Sequence, residues 1–450
     1  MKILEVVHNF LPYNLGGTEI YTFNISKEFQ RLGNDVHVFT HYSDTNNDEY
    51  NIRKYLYEGL EVFSINYNYK DVDSYEKTYK NEKIDAIFKD YINNFKPDFI
   101  HFQHLTNLSV NLINIARDMK ILCIATIADY WYLCQRGQLL KNDLKICGNV
   151  EYSNCVKCFI HQLKGFDSKH ISSLKKSRHL NILKKIGRKL LRLFPSSRDD
   201  TAKYIEIMRV RFDFIVSSLN NLNLIIAPSN FLREKYIQHG VDPDKIIYSD
   251  YGFTNDKFRF KTVQKINYPV KFGFIGTIIP PKGLHNVIEA FPDKTEYRAI
   301  FKIHGINYSY YNYETYFEDL KKAAAEKNIT FEGKFENSEV NNLLLNLDVL
   351  IVPSIWYENS PLTIHEAFLS GLPVITSDQG GMAELVEDGK TGLHFKLGDS
   401  GSIREIIQKI IDKPEVLTDF NNNIRNAKIK SIEENALEIL NKVKEIGDKS

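Results

Sequence analysis

The sequence predicts an α/β chain of two doubly wound parallel-sheet domains facing each other across a cleft. Strand-like apolar runs alternate with helix-length segments along most of the chain, the pattern of parallel sheets covered on both faces. The alternation starts twice, at residues 2–7 and 270–275, on either side of a polar, aperiodic stretch at 255–268. The 450 residues are long for one core and suit two domains of roughly 200 residues each.

Taken in order, residues 2–7 read as the first strand, and Gly16-Gly17-Thr18-Glu19 opens a helix that Gly33 stops. Strands are expected at 36–40, 99–102 and 121–127, with a helix near 108–118. A long insertion at about 134–214 interrupts the rhythm, which resumes as strand 224–228, helix 231–239 and strand 245–248. These complete an N-terminal domain of residues 1–254, followed by the linker 255–268. The C-terminal domain, 269–430, is expected to carry strands at 270–275, 297–304, 329–332, 348–352 and 373–376, with helices between them. Residues 431–450 read as one further helix.

Hydrophobic content of 43% and charged content of 26% are those of a soluble globular protein. A net charge of +1 argues against a general nucleic-acid binder. No apolar run reaches the ~18 residues of a membrane span, and the N-terminus does not read as a signal peptide. A cytoplasmic location is expected, with any membrane role peripheral, on the inner face. Residues 164–194 are strongly basic, and Leu180, Leu183, Ile186, Leu190, Leu191 and Phe194 recur there at helical spacing. Such a helix suits an anionic membrane surface, or equally its own domain's core. Within the insertion, Cys134, Cys147, Cys155 and Cys158 are candidates for a structural zinc site, with free thiols the alternative.

Chemistry concentrates in three places. Gly16-Gly17 follows the first strand and precedes a helix, so backbone N–H groups can approach an anion. Gly276-Thr277, with Lys282-Gly283 after them, repeats that arrangement with a lysine as counter-charge. Glu358 and Glu366 then bracket a helix start, where Ser360 is the expected N-cap and Pro361 fits the first turn. A phosphate on that helix tip, flanked by two carboxylates, suits a nucleotide joined to a hydroxyl-rich group.

With these residues in hand, the chain resembles the retaining nucleotide-sugar glycosyltransferases of glycosyltransferase family 4. The resemblance rests on Gly16-Gly17-Thr18-Glu19, His101-Phe-Gln-His104, Asp129-Tyr-Trp, Ala227-Pro-Ser-Asn-Phe-Leu-Arg, Gly276 to Gly283, Pro353-Ser to Glu366-Ala, and Gly380-Gly381-Met-Ala-Glu384. It implies the GT-B fold, two Rossmann-like domains with the acceptor on the first and the donor on the second. It implies that Glu366 binds the ribose, Glu358 contacts donor-sugar hydroxyls and Lys282 neutralises the diphosphate. Gly17, Leu362 and Thr363 would offer backbone N–H groups, and Gly333-Lys334-Phe335 would read the base. Two positions depart from the family pattern: Thr277 stands where Arg is usual, and Ala128 where His is usual. His104 or Asp129 would then take part of that histidine's role at the reaction centre.

The expected activity is transfer of a sugar from a nucleotide-diphosphate donor to the hydroxyl of a glycan or lipid-linked acceptor, with retention of anomeric configuration. Cell-surface polysaccharide or glycolipid biosynthesis is the expected setting. No cofactor is expected to be required, since no Asp-x-Asp motif is placed to hold Mg²⁺. The alternatives are a nucleotide-sugar epimerase of the same fold, a non-catalytic nucleotide-sugar-binding protein, and a dinucleotide-dependent oxidoreductase. Against the last, neither glycine turn forms Gly-x-Gly-x-x-Gly with a ribose-binding acid at the usual distance.

Overall fold

The computed structural model describes residues 1–14, 16–174 and 199–448. The N-terminal sheet is built from β1 (Lys2–Val6), β2 (Asp35–Tyr42), β3 (Ile52–Tyr57), β4 (Leu60–Asn66), β5 (Phe99–Phe102), β6 (Leu122–Thr126), β7 (Leu224–Ala227) and β8 (Ile246–Tyr248). Their order across the sheet is β3-β4-β2-β1-β5-β6-β7-β8. The C-terminal sheet contains β9 (Val270–Ile275), β10 (Ala299–His304), β11 (Ile329–Gly333), β12 (Val349–Val352), β13 (Val374–Ser377) and β14 (Gly392–Phe395), ordered β11-β10-β9-β12-β13-β14. Each order reverses beside its first strand, so each sheet has a switch point where β1 or β9 ends, the usual place for a ligand.

Every strand pair is parallel except β3 with β4, an antiparallel hairpin closed by Glu58 and Gly59 at positive φ. That pair of positive φ values matches the right-handed twist of the strands. The sequence reading missed this hairpin, and also the helix Glu82–Phe95. The helix is capped by the Asn81 side chain, which accepts from the N–H groups of Lys83 and Ile84. Ile84, Phe88 and Ile92 lie fully buried along its inner face. At roughly 1.5–3 kcal/mol per buried side chain of this size, that stripe anchors the helix to the sheet.

The last helix, Ile432–Gly447, does not stay with the domain that precedes it. Ala436, Ile439, Leu440 and Val443 pack into the same cluster as Ile3, Ile25 and Phe29 of the N-terminal domain. Ser431 and Glu434 form a capping box at its start. Tyr21 Oη donates to Asn435 Oδ1 at 2.8 Å. The chain therefore crosses between the domains twice, and the crossings touch: Phe253 N donates to Lys430 O, and Ile432 N to Phe253 O.

The insertion contributes the helices Tyr152–Leu174 and Asp199–Leu219, which pack on each other. Buried Arg211 ties the second to the sheet by donating to the Trp131 carbonyl at 2.8 Å. The apolar face expected at 180–194 lies outside the described residues. Among the described residues, no helix is long and apolar enough to cross a membrane.

The zinc expectation finds no support. Among the described residues, no group of three or more His, Cys, Asp or Glu is arranged to hold a metal ion. Cys134, Cys147, Cys155 and Cys158 are all free thiols. Burial pushes the Cys134 and Cys147 thiols up and Cys155 to about 12. Cys147 Sγ donates to the Asn149 carbonyl at 3.1 Å.

Candidate active site

The residues singled out above follow the carboxyl ends of strands: Gly16 and Gly17 after β1, His104 after β5, Asp129 after β6, Lys282 after β9 and Glu358 after β12. On the C-terminal wall, Lys282 ends the short turn Pro280–Lys282 and Gly283 follows at φ 72°. Gly283 is required there, because a Cβ would lie 1.9 Å from the Pro353 carbonyl oxygen. Ile355 N donates to Pro281 O at 2.9 Å, so the lysine turn and the glutamate loop form one unit.

That unit brings Lys282 Nζ within 2.5 Å of Glu358 Oε1. The same oxygen accepts from Ser354 Oγ at 2.6 Å and Trp356 Nε1 at 3.1 Å. Glu358 is buried and held by three donors. Glu366 is the opposite case: no described side chain or backbone N–H bonds to its carboxylate, and burial raises it to about 7. One carboxylate is fixed by the protein, and the other makes no hydrogen bond among the described residues.

Ser360 does not act as the helix cap. The helix Leu362–Leu369 has Pro361 in the cap position and no side-chain cap, so its first N–H groups are left for a ligand. Ser360 Oγ instead donates to Asp250 Oδ1 at 2.7 Å and lies 2.8 Å from His365 Nε2. His365 is stacked on Phe253 with ring centroids 4.4 Å apart, and burial lowers its pKa. The serine was drawn away from capping by a partner 110 positions distant in the chain.

The helix Gly17–Arg31 has Gly16 in its cap position, with no side chain to cap it from there. A Cβ on Gly17 would lie 3.4 Å from Leu362 Cδ1, so the two helix starts meet across the cleft. A Cβ on Gly16 would fall 2.4 Å from Glu19 Oε2, so a side chain there would displace the Glu19 carboxylate. The Glu19 carboxylate bonds to the Gly16 and Glu19 backbone, and burial raises its pKa.

The N-terminal wall is a chain of acid–base side chains. Glu19 Oε1 stands 3.3 Å from His8 Nε2, the His8 and His104 rings are 4.5 Å apart, and His104 Nε2 lies 3.2 Å from Asp129 Oδ1. Burial, then the neighbouring His104 and His41, hold His8 well below the ordinary histidine range. Asp129 Oδ1 also accepts from Trp131 N at 2.7 Å, and Gly137 opposite would put a Cβ 2.9 Å from Asp129 Oδ2. His8 was missed in the sequence, although its place just beyond β1 was the available signal.

Two further groups pin the walls together. Asn359 accepts from Ser229 Oγ at 2.8 Å and donates to the Ala128 carbonyl at 3.2 Å. Glu384 accepts from Asn230 N and Phe231 N, capping a helix of the other domain. Gly381 allows this, because a Cβ there would sit 1.4 Å from Asn359 O. Thr277 follows Gly276, whose φ is 153°, and brings no positive charge. Lys334 is exposed and pairs with Glu336 at 3.2 Å, and Phe335 packs partly buried beside Val340 and Leu344. These two residues follow the carboxyl end of β11, two strands along the same sheet edge from the turn that carries Lys282. A surface cavity of about 1040 Å³ is lined by residues that include Lys2, Asp35, His37 and Tyr91. It opens at the amino ends of β1 and β2 and takes no part in the cleft.

Comparison with known proteins places this geometry. Residues 255–427 match the model of Glycosyl transferases group 1, and residues 15–146 that of Glycosyltransferase Family 4. The amylovoran biosynthesis glycosyltransferase AmsK of Erwinia amylovora is 24% identical over 196 residues, covering 42% of this chain and 47% of AmsK. WcaL of Salmonella typhimurium, named for colanic acid biosynthesis, is 27% identical over 232 residues, covering 47% of this chain and 56% of WcaL. The chain thus spans about half the length of these curated relatives. The crystal structure of Anabaena Alr3699/HepE in complex with UDP and glucose superposes with a TM-score of 0.60 at 15% identity, over 100% of this chain and 99% of that one. The chain therefore has the GT-B fold, with a first half similar to the Glycosyltransferase Family 4 model and a second half similar to that of glycosyl transferases group 1.

Proposed function

We propose that the protein transfers a sugar from a nucleoside-diphosphate sugar to a hydroxyl of a glycan or lipid-linked acceptor, with retention at the anomeric carbon. The observation that carries this reading is the meeting of two helix starts, at Gly17 and Leu362, with Lys282 and the unbonded carboxylate of Glu366 on the same wall as Leu362. The backbone donors and Lys282 suit a diphosphate, and Glu366 suits the ribose hydroxyls. Glu358, held rigid by Ser354 and Trp356, suits the donor sugar. Lys282 exchanges its contact with Glu358 for the diphosphate when the donor binds.

In the reaction the bond from the anomeric carbon to the phosphate oxygen breaks as the acceptor oxygen bonds to that carbon on the same face. Positive charge develops on the sugar ring and negative charge on the departing phosphate. Lys282 and the N–H groups of Leu362, Thr363 and Gly17 are fixed where that negative charge appears, which lowers the barrier without reorganisation. The acceptor proton passes to the departing phosphate oxygen. His104 and Asp129 line the acceptor side and orient the attacking hydroxyl.

The likeness to a UDP- and glucose-bound structure and to amylovoran and colanic acid relatives supports a role in surface polysaccharide or glycolipid assembly. The test is incubation with a panel of nucleotide sugars, following free nucleotide with and without glycan and lipid-linked acceptors. Acceptor-dependent release supports the transferase. Binding without release would mark a sensor, and conversion between sugar isomers an epimerase.

A further inference from the structure

Beside the packed rings of His8 and His104 lies a second cavity, of about 540 Å³, that shares no lining residue with the lysine turn and glutamate loop. Asn9, His41, Tyr42, Arg53, Tyr69 and Asn107 are among its lining residues. It adjoins the acceptor wall directly. The Asn9 side chain bonds to Glu19, and His41 Nδ1 donates to the His8 carbonyl at 2.5 Å.

Arg53 is the unexplained group. Its guanidinium lies 4.0 Å from the Tyr42 ring centroid and 4.3 Å from that of Tyr13. Its Nε is buried without a hydrogen-bond partner, and among the described residues no carboxylate pairs with it. Asp44, the carboxylate lining the same cavity, is satisfied by Asn46 N at 2.9 Å and Asn47 Nδ2 at 2.7 Å. A buried guanidinium donor without an acceptor costs about 1–3 kcal/mol, and more when charged, unless something supplies that acceptor. Aromatic faces with amide side chains suit a sugar, and a planar guanidinium fork suits a carboxylate.

We propose that this cavity is the acceptor subsite for an acidic sugar, whose carboxylate pairs with Arg53 while the tyrosine side chains, with Asn9 and Asn107, hold its ring. The proposal rests on the transfer reading above and adds the charge of the acceptor to it. A single guanidinium matches the single charge of a uronic acid and gives two parallel hydrogen bonds.

The test is calorimetric binding of methyl glucuronide, methyl glucoside and inorganic phosphate to the full chain. The glucuronide is expected to bind about tenfold more tightly than the glucoside, the gain of a charge-assisted bidentate pair. R53Q should abolish that difference, and R53K should retain part of it. N14D, an exposed cavity-lining change that adds a negative charge, should weaken the glucuronide severalfold and leave the glucoside unchanged. N14D keeps the proposal testable if R53Q does not fold. Equal binding of the two sugars, no binding of either, or an undiminished preference in R53Q or N14D overturns the proposal. Phosphate displacing the glucuronide as well as free glucuronide does would also overturn it. These measurements need no donor, so their failure leaves the transfer reading standing. Absence of acceptor-dependent nucleotide release would count against the transfer reading instead.

Discussion

The two walls of the cleft solve different problems with different materials. The C-terminal wall presents backbone N–H groups, one lysine and two glutamates, on elements that are short and tightly interlocked. Glycine is forced there by approaches such as Gly283 to Pro353 O. The N-terminal wall is a run of side chains, Glu19, His8, His104 and Asp129, each touching the next. A diphosphate is the same in every nucleotide sugar, so the wall suited to it can be rigid backbone. An acceptor varies, and side chains on loops after β1, β5 and β6 can vary with it without disturbing the sheet.

Four measurements would break or sharpen that contrast. The largest effect is expected from K282A. Loss of the one cation at the departing phosphate should lower turnover by about 10²–10³-fold, as for other groups that stabilise developing charge. Retained turnover in nucleotide-release assays would remove Lys282 from the donor wall.

N359A comes next, because the buried amide joins the walls through Ser229 and Ala128. Stranding those partners should cost about 1–3 kcal/mol in denaturant unfolding. Donor KM should rise as well, since the loop carrying Glu358 loses its anchor. Unchanged stability would mean that the walls are not coupled there.

The third measurement is of pH. Burial raises the Glu366 carboxyl to about 7 in the folded chain, above its ordinary 4.5. The folded state therefore holds a proton that the unfolded state has released. This group's contribution to stability is full below about 4.5 and is lost as pH rises through 7. Ribose hydroxyls donate to the ionised form, so nucleotide affinity should rise from pH 6 to 8 with release of a proton. Titration calorimetry in buffers of different ionisation enthalpy would detect it. A pH-independent affinity, or an E366Q variant with the same profile, would contradict the ribose assignment.

The smallest effect belongs to S360A. Losing its bonds to Asp250 and His365 should cost about 1 kcal/mol. Helix stability should otherwise be unchanged, because the serine caps nothing. A larger loss would mean that the Asp250–Ser360–His365 cluster does more than tie the domains.

What could be read in advance follows the same contrast. The pairing of the lysine turn with the glutamate loop was legible because both are short runs with turn-forming glycine and proline at fixed places, as in 276–283 and 358–366. The relay on the other wall was half legible: His104 and Asp129 stood in recognisable segments, while His8 needed the knowledge that β1 ends beside them. Ser360 misled because local propensity favours a cap, and only Asp250, far away in sequence, diverts it. The β3–β4 hairpin was hidden because Ile52 and Leu56 are exposed apolar residues that blur the alternation. Its signal was Glu58-Gly59. The return of Ile432–Gly447 to the first domain had no local signal, since its partners lie near residues 3, 25 and 29.

That return has a mechanical consequence. Two chain segments, at Phe253 and at Lys430 to Ile432, cross the gap side by side and hydrogen-bond to each other. A single tether would let one half swivel about its own axis. Two parallel tethers resist that swivel, so the register of Leu362 against Gly17 does not hang on a single linker.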